Sequence, residues 1–388
     1  MPALKPRASQ EESISEGGIV LARQVEASQG GKGLCRMRWQ HGRLFALLLW
    51  LGSFCWGQNH KGVGGKLKVY FTDVEGGQAT LFVTPAGQSL LVDTGWGNND
   101  GRDQERIASV MKDAAVTKLD YVLITHYHED HVGGFPALLE KIPIGAVIDH
   151  GPNRELDSAG EQRYAAYKKA IESKKLKRLQ VRPGDILPIV GMKAVVVSSD
   201  GNLIRRPLEK GAVENPFCKG AETKPADTTE NARSVGIEVT FGKFKLLDLG
   251  DLTWDKEMEL VCPVNKLGRV DAYVVSHHGW DHSSSPAMVN ALGARVAVME
   301  NGARKGGSPS VLDTVAEAPG IETMWQLHFS EEGGTAHNAE EQYIANLEGP
   351  DEGHFLELVS PGDGSFDVFN SRTGATKHYA ASADSATH

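Results

Sequence analysis

From Lys66 onward the apolar residues fall into short alternating runs broken by stretches of helical spacing. LKVYFTDV, QATLFVT and SLLVDTG are rich in branched and aromatic residues and predict three strands, with Pro85-Ala86-Gly87-Gln88 as the turn between the second and third. Ile107, Val110, Met111 and Ala114 recur at helical spacing. KLDYVLIT predicts a strand, Phe135 to Ile142 a helix, and GAVIDH another strand. Tyr164, Tyr167 and Ile171 then mark an amphipathic helix whose lysines at 168, 169, 174, 175 and 177 run through to Arg178, which fits a solvated helix face.

The second half repeats this style. MKAVVVSS predicts a strand, a loop rich in Pro, Gly, Lys and Glu runs from about Asp200 to Glu230, and SVGIEVTF with FKLLDLG predicts a hairpin turning at Gly242-Lys243. A helix near Trp254 to Cys262 leads into the strand DAYVVS; ARVAVMEN, ETMWQLHF and the hairpin FLELVSPGDGSFDVFN follow. Strands with helices interspersed, in two successive halves, predict two sheets packed together under outer helices. The boundaries read as an N-terminal extension and signal over 1–57, one domain over 65–370 and a polar tail over 371–388.

The N-terminal reading rests on residues 36 to 43, a basic stretch, followed by LFALLLWLGSFCWG. A basic segment before a short apolar run is the pattern of a secretory signal, and the run is too short to span a bilayer comfortably. Phe54 in front of Cys55 speaks against a lipidation site, and Met37 is an alternative start. The expectation is export to the periplasm or the extracellular space, with no stable membrane insertion once the signal is removed. Cleavage would leave Cys218 and Cys262, able to form one disulfide in an oxidising compartment. The 388 residues carry 50 acidic against 41 basic side chains, a net charge of −9 that argues against a general nucleic-acid coat but leaves room for a local basic groove.

The densest chemistry lies in THYHEDHVGG, residues 125 to 134. His126 and His128 can approach one metal from the same loop, and Asp130 and His131, as the chain turns into a helix, suit a second ion close by. Imidazole and carboxylate with a position left open for water suit zinc and similar ions.

H-x-H-x-D-H at a strand end resembles the metallo-β-lactamase fold, an αββα four-layer sandwich of hydrolases and some redox enzymes. TDVEGGQATLFVTPAGQSLLVDTG, NARSVGIEVTFGKFKLLDLGDL and DAYVVSHHGWDHSS resemble, in order, segments of the branch that includes the hydrolase domain of the competence protein ComEC. The resemblance implies that His126 and His128 bind one ion, that Asp130 and His131 bind the other, and that Asp251 bridges them. A late histidine completes the second site; strand periodicity leaves His277 and His278 both open, and the expectation takes His278 as ligand and His277 as a substrate or proton contact. Asp93 resembles the carboxylate that holds an imidazole from behind. The implied cofactors are two divalent ions, zinc or alternatively manganese.

This chain departs from the branch at three places. Glu75-Gly76-Gly77-Gln78 replaces Gly-Gln-Gly-Asp, Ser308 in NGARKGGSP stands where a histidine is usual, and no third histidine for the first ion lies between His131 and Asp251 apart from His150, with Asn231 a poor substitute. Trp280 is a candidate pocket wall, while His282, His328 and His337 show no ligand spacing. Two divalent ions less two aspartates and a hydroxide leave positive charge, which favours an anionic group. The expected activity is phosphodiester cleavage by metal-activated hydroxide, with Asp130 or His277 protonating the leaving group. The partner is then an anionic small molecule or polymer, with nucleic acid in question only as a substrate. Hydrolysis of a lactone, thioester or β-lactam, a metal-binding module without turnover, and an oxygen-using iron enzyme are the other readings.

Overall fold

The computed structural model describes residues 65–209 and 212–382; the expected signal and its basic flank lie outside them. The first six strands are β1 (Leu67–Phe71), β2 (Thr80–Val83), β3 (Ser89–Val92), β4 (Leu119–Leu123), β5 (Ile144–Asp149) and β6 (Lys177–Gln180). The next eight are β7 (Lys193–Ser199), β8 (Asn202–Leu203), β9 (Gly236–Phe241), β10 (Phe244–Asp248), β11 (Ala272–Val274), β12 (Val296–Met299), β13 (Thr323–His328) and β14 (Ile344–Asn346). The chain then returns to the first sheet with β15 (Leu356–Ser360), β16 (Phe366–Asn370) and β17 (Ala375–Tyr379). One sheet has nine strands in the order β17-β16-β15-β1-β2-β3-β4-β5-β6, the other eight in the order β14-β13-β12-β11-β10-β9-β7-β8.

Three apolar clusters show how the layers stack. Phe71, Phe82, Leu123, Ile148, Val196, Ile237, Phe244, Val298 and Trp325, from both sheets, form the layer between them. On the outer face of the first sheet, Leu81, Leu91, Val122 and Val147 pack beneath α1 (Arg102–Asp113), the short turn α2 (Glu129–Val132), α3 (Phe135–Lys141) and α4 (Ser158–Lys174). On the outer face of the second, Leu247, Tyr273 and Ala297 pack beneath α5 (Trp254–Val261), α6 (Pro286–Leu292) and α7 (Pro309–Ala316). The strands alternate between two buried faces, which is why they read as nearly continuous apolar runs. Burying each large apolar side chain stabilises the fold by about 1.5–3 kcal/mol, and the fold is the expected αββα sandwich.

The structure corrects three readings. Lys177 and Arg178 are not helical: α4 ends at Lys175, in the left-handed region at φ 53°, and β6 pairs in parallel with β5. Arg178 is drawn into that edge because its guanidinium bonds Asp149 (2.6 Å) and the Gly151 carbonyl (2.6 Å). Residues 371–382 are not all tail. β17 pairs with β16, and its Tyr379 stacks on Phe366 (centroids 4.8 Å apart) while accepting a hydrogen bond from Trp325 Nε1 (3.0 Å). The segment after Asp200 is more than open loop, because a disulfide joins Cys218 to Cys262 at the end of α5 and Glu214 bridges to Val264. Among the described residues no helix is long and apolar enough to cross a membrane.

Glu238 on β9 is a buried exception to the apolar pattern, with Oε2 lacking a hydrogen-bond partner. Burial pushes its carboxyl from about 4.5 up to about 7, with Lys193 pulling the other way. The folded state therefore holds the proton more tightly than the unfolded chain, and stability falls as pH rises through that interval. Glu238→Gln is expected to stabilise the protein by on the order of 2–3 kcal/mol at pH 8 and to lose that advantage near pH 4. Urea denaturation of both proteins across this range checks the slope; parallel pH profiles would refute the assignment.

Candidate metal centre

The centre is assembled where strands of both sheets end. Asp93, just past β3 and in the left-handed region at φ 59°, is completely buried. Its Oδ1 accepts from the Thr125 amide (2.8 Å), and its Oδ2 from the Thr125 hydroxyl (2.6 Å) and from His131 Nδ1 (2.7 Å). One carboxylate thus fixes the end of β4 and directs the Nε2 lone pair of His131 into the cleft. His126 is held similarly: its Nδ1 lies 3.1 Å from the Thr125 hydroxyl, leaving Nε2 to face inward. Gly77 matters here for space, since a Cβ on it would overlap the Asp130 carbonyl.

The second sheet supplies Asp251, after β10, and His277-His278, after β11. Both histidines are left-handed, at φ 54° and 56°. Two consecutive residues in that region break strand alternation, so both rings reach the site, and the strain is of the kind found at functional positions. His278 Nδ1 donates to the Glu300 carbonyl (3.1 Å), which again leaves Nε2 directed inward.

Asp130, His131, Asp251 and His278, all buried, bring one ligand atom each within 4.8 Å of the others. His131 Nε2 is 3.2 Å from Asp251 Oδ2 and 3.3 Å from Asp130 Oδ2; His278 Nε2 is 3.2 Å from Asp130 Oδ2 and 3.4 Å from Asp251 Oδ1. Asp251 Oδ2 also lies 3.8 Å from His126 Nε2 and 3.4 Å from His277 Nε2. His126 Nε2 meets His128 Nδ1 at 3.0 Å, and the other ring nitrogen of His128 meets Glu155 at 3.0 Å. All seven residues expected at the site from the family resemblance, from His126 to His278, are therefore in one constellation, with Asp93 behind it. His277 contacts Asp251 but lies outside the tightest group of four.

The electrostatics fit a cation. Burial works against ionising Asp130 and Asp251, but the His131 imidazole facing each of them outweighs it, helped by Lys305 at Asp130 and by His278 and His277 at Asp251, and holds both carboxyls well below the usual range. Burial and the adjacent His131 and His128 rings push His126 down, and burial with the neighbouring cations takes His277 to about 4. Asp251 Oδ1 is buried and makes no hydrogen bond. A buried ionised oxygen without a donor, beside inward-facing imidazole nitrogens, is what a divalent ion would satisfy. Asp130, His131, Asp251 and His278 would hold one ion, and His126, His128 and Asp251 a second.

Sequence reasoning missed Lys305 and Glu155. The Lys305 ammonium pairs with Asp130 Oδ2, donates to the Gly76 carbonyl (2.7 Å), and lies 5.0 Å and 5.9 Å from the rings of Trp96 and Trp280. It lies in NGARKGGSP, three residues before Ser308, the position at which a histidine is usual. Ser308 instead opens α7, its amide bonded to the Gly279 carbonyl (2.9 Å). Glu155 carried no signal, because only the loop ahead of α4 brings it to His128.

The remaining candidates have other occupations. Gln78 donates to Asp248 (2.8 Å), Glu75 lies 3.8 Å from His328, and His328 bonds Asp73 (2.6 Å). His150 bonds Glu230 (2.9 Å), while His282 and His337 pair with Asp281 and Asp313. Asn231 lies 3.4 Å from His277 Nε2, and Trp280 stands edge-on to His277 at 5.4 Å, forming part of the wall. Lys168 lies over Tyr164 and Lys174 pairs with Glu140 on the far helices.

Residues 72–210 match the family model of the metallo-beta-lactamase superfamily. A longer similarity, 26% identity over 225 residues, is to the competence protein ComA of Neisseria gonorrhoeae, covering 58% of this chain and 25% of that protein. An atrochrysone carboxyl ACP thioesterase of Aspergillus terreus is 40% identical over 67 residues, 17% of this chain and 20% of that protein. The chain thus spans a fifth to a quarter of the length of these curated relatives. Among solved structures, the metallo-beta-lactamase fold protein YhfI of Bacillus subtilis aligns with a TM-score of 0.39 at 13% identity, over 76% of this chain and 99% of that chain. A diphosphatase from the PhnP family aligns with a TM-score of 0.36 at 11% identity, over 76% and 98%.

Asp93→Asn is expected to weaken divalent-ion affinity by roughly 10–100-fold, because it loosens the His131 ring without removing a ligand. Competition with a chromophoric chelator measures this, with far-UV circular dichroism checking the fold. Unaltered affinity would mean that His131 is oriented by something else.

Proposed function

We propose that the chain is an exported, zinc-dependent hydrolase that cleaves a phosphodiester, with manganese as the alternative ion. The observation that carries the substrate class is Lys305. Asp130 and Asp251 are the carboxylates that would meet two divalent ions directly, with Asp93 and Glu155 set behind His131 and His128, and Lys305 adds a positive charge at the cleft wall. That charge in a desolvated site favours a substrate or transition state bearing negative oxygens over a neutral lactone. Ions bound there would supply Lewis acidity and an activated water at neutral pH.

The chain's own groups then divide the work. Asp130 stands as a carboxylate, suited to holding a cation and the Lys305 ammonium. His277 and Asn231, facing the open side of Asp251, are placed to hydrogen-bond a substrate oxygen, and the His277 ring is the group placed to move a proton. Trp96 and Trp280 flank Lys305 at 5.0 Å and 5.9 Å. The disulfide between Cys218 and Cys262 supports export, since such bonds persist in oxidising compartments. Thioester hydrolysis is the second reading, supported by the similarity to a thioesterase over 67 residues.

The full chain loaded with zinc or manganese is expected to hydrolyse bis(p-nitrophenyl) phosphate, to lose activity with EDTA, and to fall at least about 100-fold in kcat/KM in Asp251→Asn. Lys305→Met should raise KM for this diester more than it lowers kcat. Faster turnover of acyl thioesters than of diesters, with Lys305→Met neutral, would replace this reading with the second.

A further inference from the structure

An open cleft of about 1160 Å³ lies beside the H-x-H loop and takes no part in the chemistry described so far. His150, Arg182, Arg205 and Arg206 are among its lining residues. His150 connects it to the metal centre. Its ring lies 4.6 Å from that of Tyr127, the residue between His126 and His128, and its Nε2 meets Glu230, next to Asn231. The His150 side chain is fully buried, yet its Nδ1 has no hydrogen-bond partner.

The charge of the cleft runs against that of the molecule. Among the described residues, none of the three arginine side chains makes an ion pair. The two carboxylates of the lining are already engaged: Asp200 with Arg154, which lies outside the lining, and Asp185 with the backbone amide of Arg182. A chain of net charge −9 therefore keeps three guanidinium groups outside any ion pair around one concavity, where Asp185 is the one carboxylate of the lining without a basic side-chain partner. Guanidinium suits phosphate because its planar fork matches two phosphate oxygens. The lining holds no phenylalanine, tyrosine or tryptophan, so nothing in it offers a stacking platform for bases.

We propose that this cleft is a second anion site that takes the phosphodiester backbone of a polymeric substrate, holding phosphates that flank the one at the metal centre. The inference rests on the phosphodiester reading above and deepens it: the substrate is a chain with repeating phosphates, gripped by its backbone. His150 closes the inner end of the cleft, and Arg182, Arg205 and Arg206 supply the phosphate contacts.

The test is fluorescence anisotropy of a labelled thymidine dodecamer and of an abasic phosphodiester oligomer of equal length, bound to the metal-depleted full chain so that no turnover occurs. The comparison is the triple variant Arg182→Gln, Arg205→Gln, Arg206→Gln, whose substitutions are exposed and leave the core untouched. Both oligomers are expected to bind the parent protein with equal affinity. In the triple variant, affinity should fall at least tenfold and the salt dependence, log K against log salt, should flatten by about 2, near 0.7 per lost phosphate contact. Equal affinity and salt slope in the two proteins would overturn the proposal, and a strong preference for the thymidine oligomer would overturn recognition by backbone alone. If the parent protein cleaves no diester, the chemistry assigned to the metal centre fails, while arginine-dependent binding still decides the fate of the cleft.

Discussion

A single buried carboxylate, Asp93, is the constraint on which the rest of the centre depends. It is cut off from water, sits in a backbone conformation that non-glycine residues seldom adopt, and satisfies its oxygens with the end of the neighbouring strand and with a histidine. Burying such a charge is costly unless every lone pair finds a donor. The end of β4, the Thr125 hydroxyl and the His131 ring are therefore bound to one geometry. From that point the H-x-H-x-D-H loop has little freedom left, and the four-residue turn α2 can present Asp130 and His131 side by side.

Charge compensation explains the other half. Asp130 and Asp251 face each other across imidazoles in a low-dielectric cleft, and Lys305 supplies a mobile cation on a flexible stem at one of them. The arrangement is stable without being saturated, because one Asp251 oxygen is still without a donor. The two Trp rings hold the lysine against the wall without neutralising it.

Much of this was legible in the residues themselves. Continuous apolar runs such as YVLI and AVVV report strands buried on both faces, and H-x-H-x-D-H reports its own chemistry because few other arrangements place those side chains together. What escaped depended on distance in sequence or on conformation. The choice between His277 and His278 could not be made from alternation, since consecutive left-handed residues abolish it. Glu155 reaches His128, and Lys305 reaches Asp130, only through the fold. The polar sequence ATKHY concealed an edge strand, because its main inward anchor is Tyr379 and its remaining positions face water. The lysines of α4 continued a charged pattern into β6, where the left-handed Lys175 had already ended the helix.

The return of the chain to the first sheet has a consequence for synthesis. β1 pairs with β2 on one side, but its other neighbour, β15, is made only after every strand of the second sheet. A nascent chain therefore carries an open, strongly apolar strand edge while nearly all of the second sheet is being translated. Such an edge invites pairing with other chains. A ribosome that stalls before residue 356 would release a product whose metal-binding residues are all present but whose sheet remains unsealed.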